Sequence, residues 1–308
     1  MMTRIRQFMF VVAAVAMLLG PITTAEAAEE RNYLLATAST GGTYYPVGVA
    51  LSTLVKVKLQ PKQKIGMSAI NSAGSGENIK LLRENEVQFA ILQGLYGAYA
   101  WNGTGPIESE GPQKNLRSVS MLWQNVEHYA VLKKFAKTGT ISDIVALKGE
   151  AMSMGKKNSG TLGSNEVILG NLGVDIEKDY NLIYVGYGPT ADALQNGQIS
   201  GFGIPAGVPA SAVTKAMANL GDDMAVLDLT DEQMKQADGG LGLWTRYVIP
   251  ADTYPGQKKD INTIAQPNFL GVRADVDEDA VYQITKTIYE NLPFLNAIHG
   301  ATKAMAIE

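Results

Sequence analysis

Apolar residues fall in two alternating patterns along the chain. Short continuous runs at residues 33–38, 87–92, 128–132, 151–154, 183–185 and 199–204 read as strands. Between them the spacing turns helical. Val47, Leu51, Leu54 and Val55 lie at i, i+4, i+7 and i+8, one face of a helix. Ser75 reads as a helix N-cap ahead of Ile79 and Leu82. Residues 161–172 read as a helix that Gly173 stops. Asp277, Glu278 and Asp279 favour a helix start through the dipole. Val281, Ile284, Ile288 and Leu292 then line its buried face, and Pro293 closes it. Strands alternating with helices predict an α/β fold built from βαβ units. Leu82 precedes the strand opening at Val87 by five residues, and Leu194 precedes Ile199 by the same five. This echo fits two similar α/β lobes.

Ahead of these elements the pattern changes. Arg4 and Arg6 open a basic start, residues 8–19 are continuously apolar, and Gly20 and Pro21 break the run. Ala25-Glu26-Ala27 supplies a small-x-small cleavage pattern, so residues 1–27 have the layout of a secretory signal peptide. The apolar run is shorter than the ~20 residues that a spanning helix needs. Cleavage after Ala27 leaves an exported, acidic chain.

Composition narrows the chemistry. A length of 308 residues suits about two domains. A formal charge of −4 argues against a nucleic-acid partner. The absence of cysteine removes disulfides, thiolate nucleophiles, cysteine-ligated metals and a cysteine-linked lipid anchor. His128 and His299 are the only histidines, so a transition-metal site is not expected and no cofactor is implied. No G-x-S-x-G elbow is present to support a hydrolase. Glycine, at 32 residues, exceeds the usual ~7% share.

Six of those glycines fall in three turns between a strand and a helix: residues 39–46, 71–78 and 155–161. Glycine lets backbone N–H groups approach a ligand, and Ser and Thr add hydroxyls. The following helix presents unpaired N–H groups and a positive dipole end, which makes each turn a candidate anion seat. No P-loop Lys-Ser/Thr and no G-x-G-x-x-G occurs among them. Arginine is absent from all three. Arg117, Arg246 and Arg273 lie elsewhere and read first as surface ion pairs.

The run Thr40-Gly41-Gly42-Thr43-Tyr44-Tyr45-Pro46-Val47-Gly48 resembles the opening motif of the TAXI family, solute receptors of tripartite ATP-independent periplasmic (TRAP) transporters. Further matches follow in order: Gly74-Ser75 with Glu77-Asn78, Gln93, Leu147-Lys148-Gly149 and Ser159-Gly160-Thr161. Gly197-Gln198-Ile199, Ala206-Gly207-Val208-Pro209, Thr253-Tyr254-Pro255-Gly256-Gln257 and Val272-Arg273-Ala274-Asp275 complete the set. The resemblance implies a two-lobed periplasmic binding protein, a type II-like clamshell with the ligand cleft between its lobes. The lobes are expected over residues 28–122 plus about 240–308, and over about 123–239. Implied ligand contacts are Thr40, Gly42, Thr43, Tyr44, Ser75 and Gln93 from one lobe. Ser159, Gly160, Thr161 and Ala206 come from the other.

The sequence departs from the family at Thr37-Ala38-Ser39-Thr40, at Gly94-Leu95 after Gln93, and at Gln124-Asn125-Val126. These departures leave fewer acids and favour a ligand without an amino group. A monomeric periplasmic receptor is expected, not an enzyme and, without cysteine, not lipid-anchored. It captures a small carboxylate or amino acid (glutamate, 2-oxoglutarate or dicarboxylate-like) for a TRAP permease. The alternatives are a ligand sensor for a membrane signalling partner and, less supported, a secreted hydrolase.

Overall fold

The computed structural model describes residues 29–306, so the signal-peptide reading lies outside the described residues. In chain order the strands are β1 (Arg31–Ala36), β2 (Ile65–Ile70), β3 (Phe89–Gln93), β4 (Leu116–Leu132) and β5 (Ala151–Ser153). They continue as β6 (Asn181–Leu182), β7 (Gly201–Ala206), β8 (Met224–Val226), β9 (Thr245–Ile249) and β10 (Ile261–Arg273). They form one sheet in the order β2-β1-β3-β10-β4-β7-β5-β6, with β8 on β4 and β9 on β10.

Two long strands organise this sheet. The first part of β4 pairs with the end of β10, which itself pairs with β3. Residues 126–131 of β4 pair with β7, and 130–132 pair with β8. At its start, residues 261–265 of β10 pair with β9. Both strands therefore cross from one half of the sheet to the other, at residues 122–126 and 265–269. The register between them shifts between Pro267 and Phe269, a local irregularity that a ring without an N–H suits. Residues 261–265 of β10 thus lie beside β9, and residues 268–272 beside β3. Pro267 and the polar Asn262, Thr263, Gln266 and Asn268 interrupt any apolar run there, which is why the pattern of hydrophobics does not announce β10.

Each half buries helices against its own strands. Val47, Leu51, Leu54 and Val55 of the helix Tyr44–Gln63 pack with Phe89, Ile91, Ile284 and Ile288. Leu194, Phe202, Ile204 and Val213 form a matching core in the second half. A third cluster runs through both, from Ile79, Leu92 and Tyr96 to Met152, Ile168 and Leu169.

The elements follow the expected pattern with instructive shifts. The helix Gly160–Asn171 is followed by Gly173 at φ +89°. Asp277 caps the helix Glu278–Glu290 by accepting from the Ala280 N–H at 2.8 Å. Pro293 does not end that helix; it opens the next one, Leu292–Ile298, at a position where its missing N–H costs nothing. Ser75 is not the N-cap: Gly74 is, because only glycine adopts its φ of +126° freely, and Ser75 becomes the first helical residue. Residues 183–185 lie beyond β6 and outside any strand. Among the described residues, no helix is long and apolar enough to cross a membrane.

Candidate functional site

Five helices begin around one small cavity. They are Tyr44–Gln63, Ser75–Arg83 and Gly94–Asn102 from the first half, with Gly160–Asn171 and Tyr187–Gln195 from the second. Residues at each of these helix starts, or at the cap immediately before, line the cavity: Thr43, Tyr44, Gly74, Ser75, Gln93, Gly160, Thr161 and Tyr187. The first N–H groups of a helix have no carbonyl partner within it, and its dipole is positive there. All five positive ends face one volume of about 30 Å³.

The turns meet across the halves because glycines allow it. A Cβ on Gly76 would lie 2.6 Å from the Asn158 carbonyl oxygen, and one on Gly41 would lie 2.7 Å from the Gly188 nitrogen. The Glu77 N–H donates to that same Asn158 carbonyl at 2.9 Å.

Gln93 ties the floor together. Its backbone N–H donates to Ser75 Oγ at 3.2 Å. Its Nε2 crosses to the second half and donates to the Gly160 carbonyl at 2.9 Å and to Ser164 Oγ at 3.0 Å. Its Oε1 accepts from Asn125 Nδ2 at 3.3 Å. Gln266 Nε2 also donates to Ser164 Oγ, while Gln266 Oε1 accepts the Leu95 N–H.

Four of the wall hydroxyls are already engaged. Thr43 Oγ1 donates to the Gly207 carbonyl at 3.2 Å. Tyr187 donates to the Pro205 carbonyl at 2.6 Å, so Thr161 Oγ1, 2.7 Å from that phenol oxygen, is the donor to it. Tyr44 donates to Asn268 Oδ1. Burial pushes the Tyr44 and Tyr187 phenols up, which keeps both neutral. The groups that remain to greet an anion are therefore backbone N–H groups and the hydroxyls of Ser39 and Ser75.

Among the described residues, no acidic or basic side chain lines the cavity. The nearest buried carboxyl is Glu127 on β4, two residues past Asn125. Burial pushes it up to about 8, although hydrogen bonds from Trp244 Nε1 (3.2 Å) and Gln266 pull the other way. His128, on the opposite face of β4, is structural. Its Nδ1 faces the Ile204 carbonyl at 3.1 Å and so carries the proton, leaving Nε2 to accept from Tyr254 at 2.7 Å.

The expected contacts divide clearly. Gly42, Thr43, Tyr44, Ser75, Gln93, Gly160, Thr161 and Ala206 meet at the cavity. Thr40 and Ser159 do not line it. Thr40 is exposed in its turn, and Ser159 accepts the Leu162 N–H at 3.0 Å as the cap of its helix. Arg117 bonds neighbouring carbonyls, Arg246 pairs with Asp231, and Arg273 holds Asp275; none lines the cavity.

Asn125 and Tyr187 also line the cavity and were missed as contacts. Asn125 stood among the departures from the family pattern. Tyr187 sits in Gly186-Tyr187-Gly188, a fourth glycine turn before a helix, and that was the available signal.

Residues 35–308 match the NMT1-like family. The chain belongs to the NMT1-like family. Solved structures carry a similar fold. The periplasmic binding protein BugD is 11% identical over 88% of this chain and 86% of its own, with a TM-score of 0.53. A structure described as a periplasmic transporter is 14% identical over 90% and 88%, with a TM-score of 0.51. The ligand-binding component of an ABC-type import system from Staphylococcus aureus, with zinc bound, is 10% identical over 91% and 81%, also at 0.51. At such identities the likeness establishes the fold: this NMT1-like chain has the α/β fold of periplasmic binding proteins. The relatives bear the names of binding and transport components, not of enzymes.

Proposed function

We propose that this NMT1-like protein is a periplasmic solute receptor that captures a small organic anion between two lobes and delivers it to a membrane permease. The observation that carries this reading is the convergence of five helix N-termini, from both halves of the sheet, on one cavity lined by no charged side chain. Such a site favours negative charge without an arginine clamp. The lobes correspond to residues 29–122 with 267–306, and to residues 123–266, joined through β4 and β10. Contacts from both lobes are what make a ligand favour the closed arrangement.

The residues proposed to touch the solute are Gly42, Thr43, Tyr44, Ser75, Gln93, Gly160, Thr161 and Ala206, with Asn125 and Tyr187 added. The TAXI-like motifs favour a TRAP permease as the membrane partner. The basic, apolar and small-x-small order of residues 1–27 supports export as a soluble chain.

A thermal-shift screen with amino acids, mono- and dicarboxylates and sulfonates tests the receptor reading. A true ligand at 100 times its Kd adds about 2.7 kcal/mol of stability. No shift with any of these solutes overturns the reading. Uptake into proteoliposomes holding a TRAP permease, dependent on added receptor, tests the partner.

A further inference from the structure

One cavity residue is incompletely satisfied, and its chemistry can be assigned. The Gly160 carbonyl can only accept, so Gln93 must present its NH2 group there, at 2.9 Å. Gln93 Oε1 therefore faces Asn125 and can only accept, which turns Asn125 Nδ2 toward it. Asn125 Oδ1 is left buried and without a hydrogen-bond partner, on a residue 3% exposed that lines the cavity. A buried acceptor of this kind is destabilising until a donor reaches it.

The cavity thus offers two features side by side. Helix N-termini supply N–H donors and positive potential, and Asn125 supplies one bare acceptor. Resting on the receptor reading above, we infer that the solute is a small 2-hydroxymonocarboxylate. Its carboxylate meets the N–H groups of the helix starts, and its hydroxyl donates to Asn125 Oδ1.

Three observations disfavour the neighbouring classes. An α-ammonium group would face positive helix ends with no carboxylate among the lining residues. Glu127 offers no counter-charge at neutral pH, because burial keeps its carboxyl protonated. A cavity of about 30 Å³ takes roughly two or three water-sized groups, so any of these solutes requires the lobes to part, a dicarboxylate or glutamate furthest.

Isothermal calorimetry on the purified protein with lactate, glycolate, propionate, alanine, succinate and glutamate tests this. Lactate or glycolate is expected to bind at least about tenfold more tightly than propionate, which lacks the hydroxyl. Asn125→Leu is expected to bring the lactate-to-propionate ratio close to one. The wild-type ratio decides the question even where that variant fails to fold. Equal binding of lactate and propionate overturns the inference. Tighter binding of alanine, glutamate or succinate also overturns it while leaving a solute receptor intact. Silence toward every solute, here and in the wider screen, overturns the receptor reading itself.

Discussion

At the residue scale, Glu127 and His128 are adjacent on β4 and titrate in opposite senses. Folded Glu127 keeps its proton to about pH 8, whereas the unfolded carboxyl releases it near 4.5. The folded state binds more protons across that window, so stability falls as pH rises through it. Burial lowers folded His128 to about 4 from 6.5, so its contribution is lost as pH drops from 6.5 toward 4. A full one-proton difference changes stability by about 1.4 kcal/mol per pH unit. The two slopes cancel between about pH 4.5 and 6.5, and Glu127 alone acts above that. Thermal melts are expected to show stability declining by up to about 2 kcal/mol from pH 6.5 to 8. Glu127→Gln should remove that decline and raise the melting temperature at pH 8. A wild-type profile that stays flat over this range, with no gain in the variant, contradicts the assignment.

The same scale shows how far single residues could be read from the sequence. Glycine and hydroxyl residues in the turns marked the right neighbourhood, because helix starts require such residues locally. Which hydroxyls face a ligand could not be read. Thr43 and Thr161 direct their protons to Gly207 and Tyr187, residues far away along the chain.

At the element scale, two devices deserve tests. Asp277 both caps the helix Glu278–Glu290 and pairs with Arg31 of β1. Replacing it with Ala is expected to cost about 1 kcal/mol, most of it from the lost cap, since exposed ion pairs add little. Urea denaturation checks this, and a change below a few tenths of a kcal/mol contradicts the capping role. Gly76 does not line the cavity, yet its close approach to Asn158 lets the two turns meet. Gly76→Ala suits the helix itself, by about 1 kcal/mol of propensity. The added methyl nonetheless collides with a backbone carbonyl of the other half. The expected result is unchanged far-UV circular dichroism with solute affinity reduced by about tenfold or more, as the binding-competent population shrinks. Unaltered affinity means that closure does not require that contact.

Helix and strand identities were legible wherever one element satisfied its own period. The helices bearing Val47 to Val55 and Ile284 to Ile288 are examples. β10 was illegible because its crossing segment, Gln266-Pro267-Asn268, is polar and carries proline. Its burial comes from β3 and β4 on either side, not from its own pattern.

At the scale of the whole molecule, the apolar cluster running from Ile79 and Tyr96 to Met152 and Ile168 spans both halves. Residues 31–306 belong to a single compact unit. Calorimetric unfolding is therefore expected to show one transition, with van't Hoff and calorimetric enthalpies in agreement. Two resolved transitions would mean that the halves unfold separately and that the shared cluster contributes little.

By itself, the sequence determined the α/β class, the helix faces and the glycine turns in which most of the cavity residues lie, because these follow from local periodicity and local backbone requirements. Tertiary structure alone decided that β4 and β10 cross between the halves, that five helix starts share one cavity, and that Asn125 is left with a bare acceptor. Each of those depends on groups brought together from distant parts of the chain, and no local pattern encodes such a meeting.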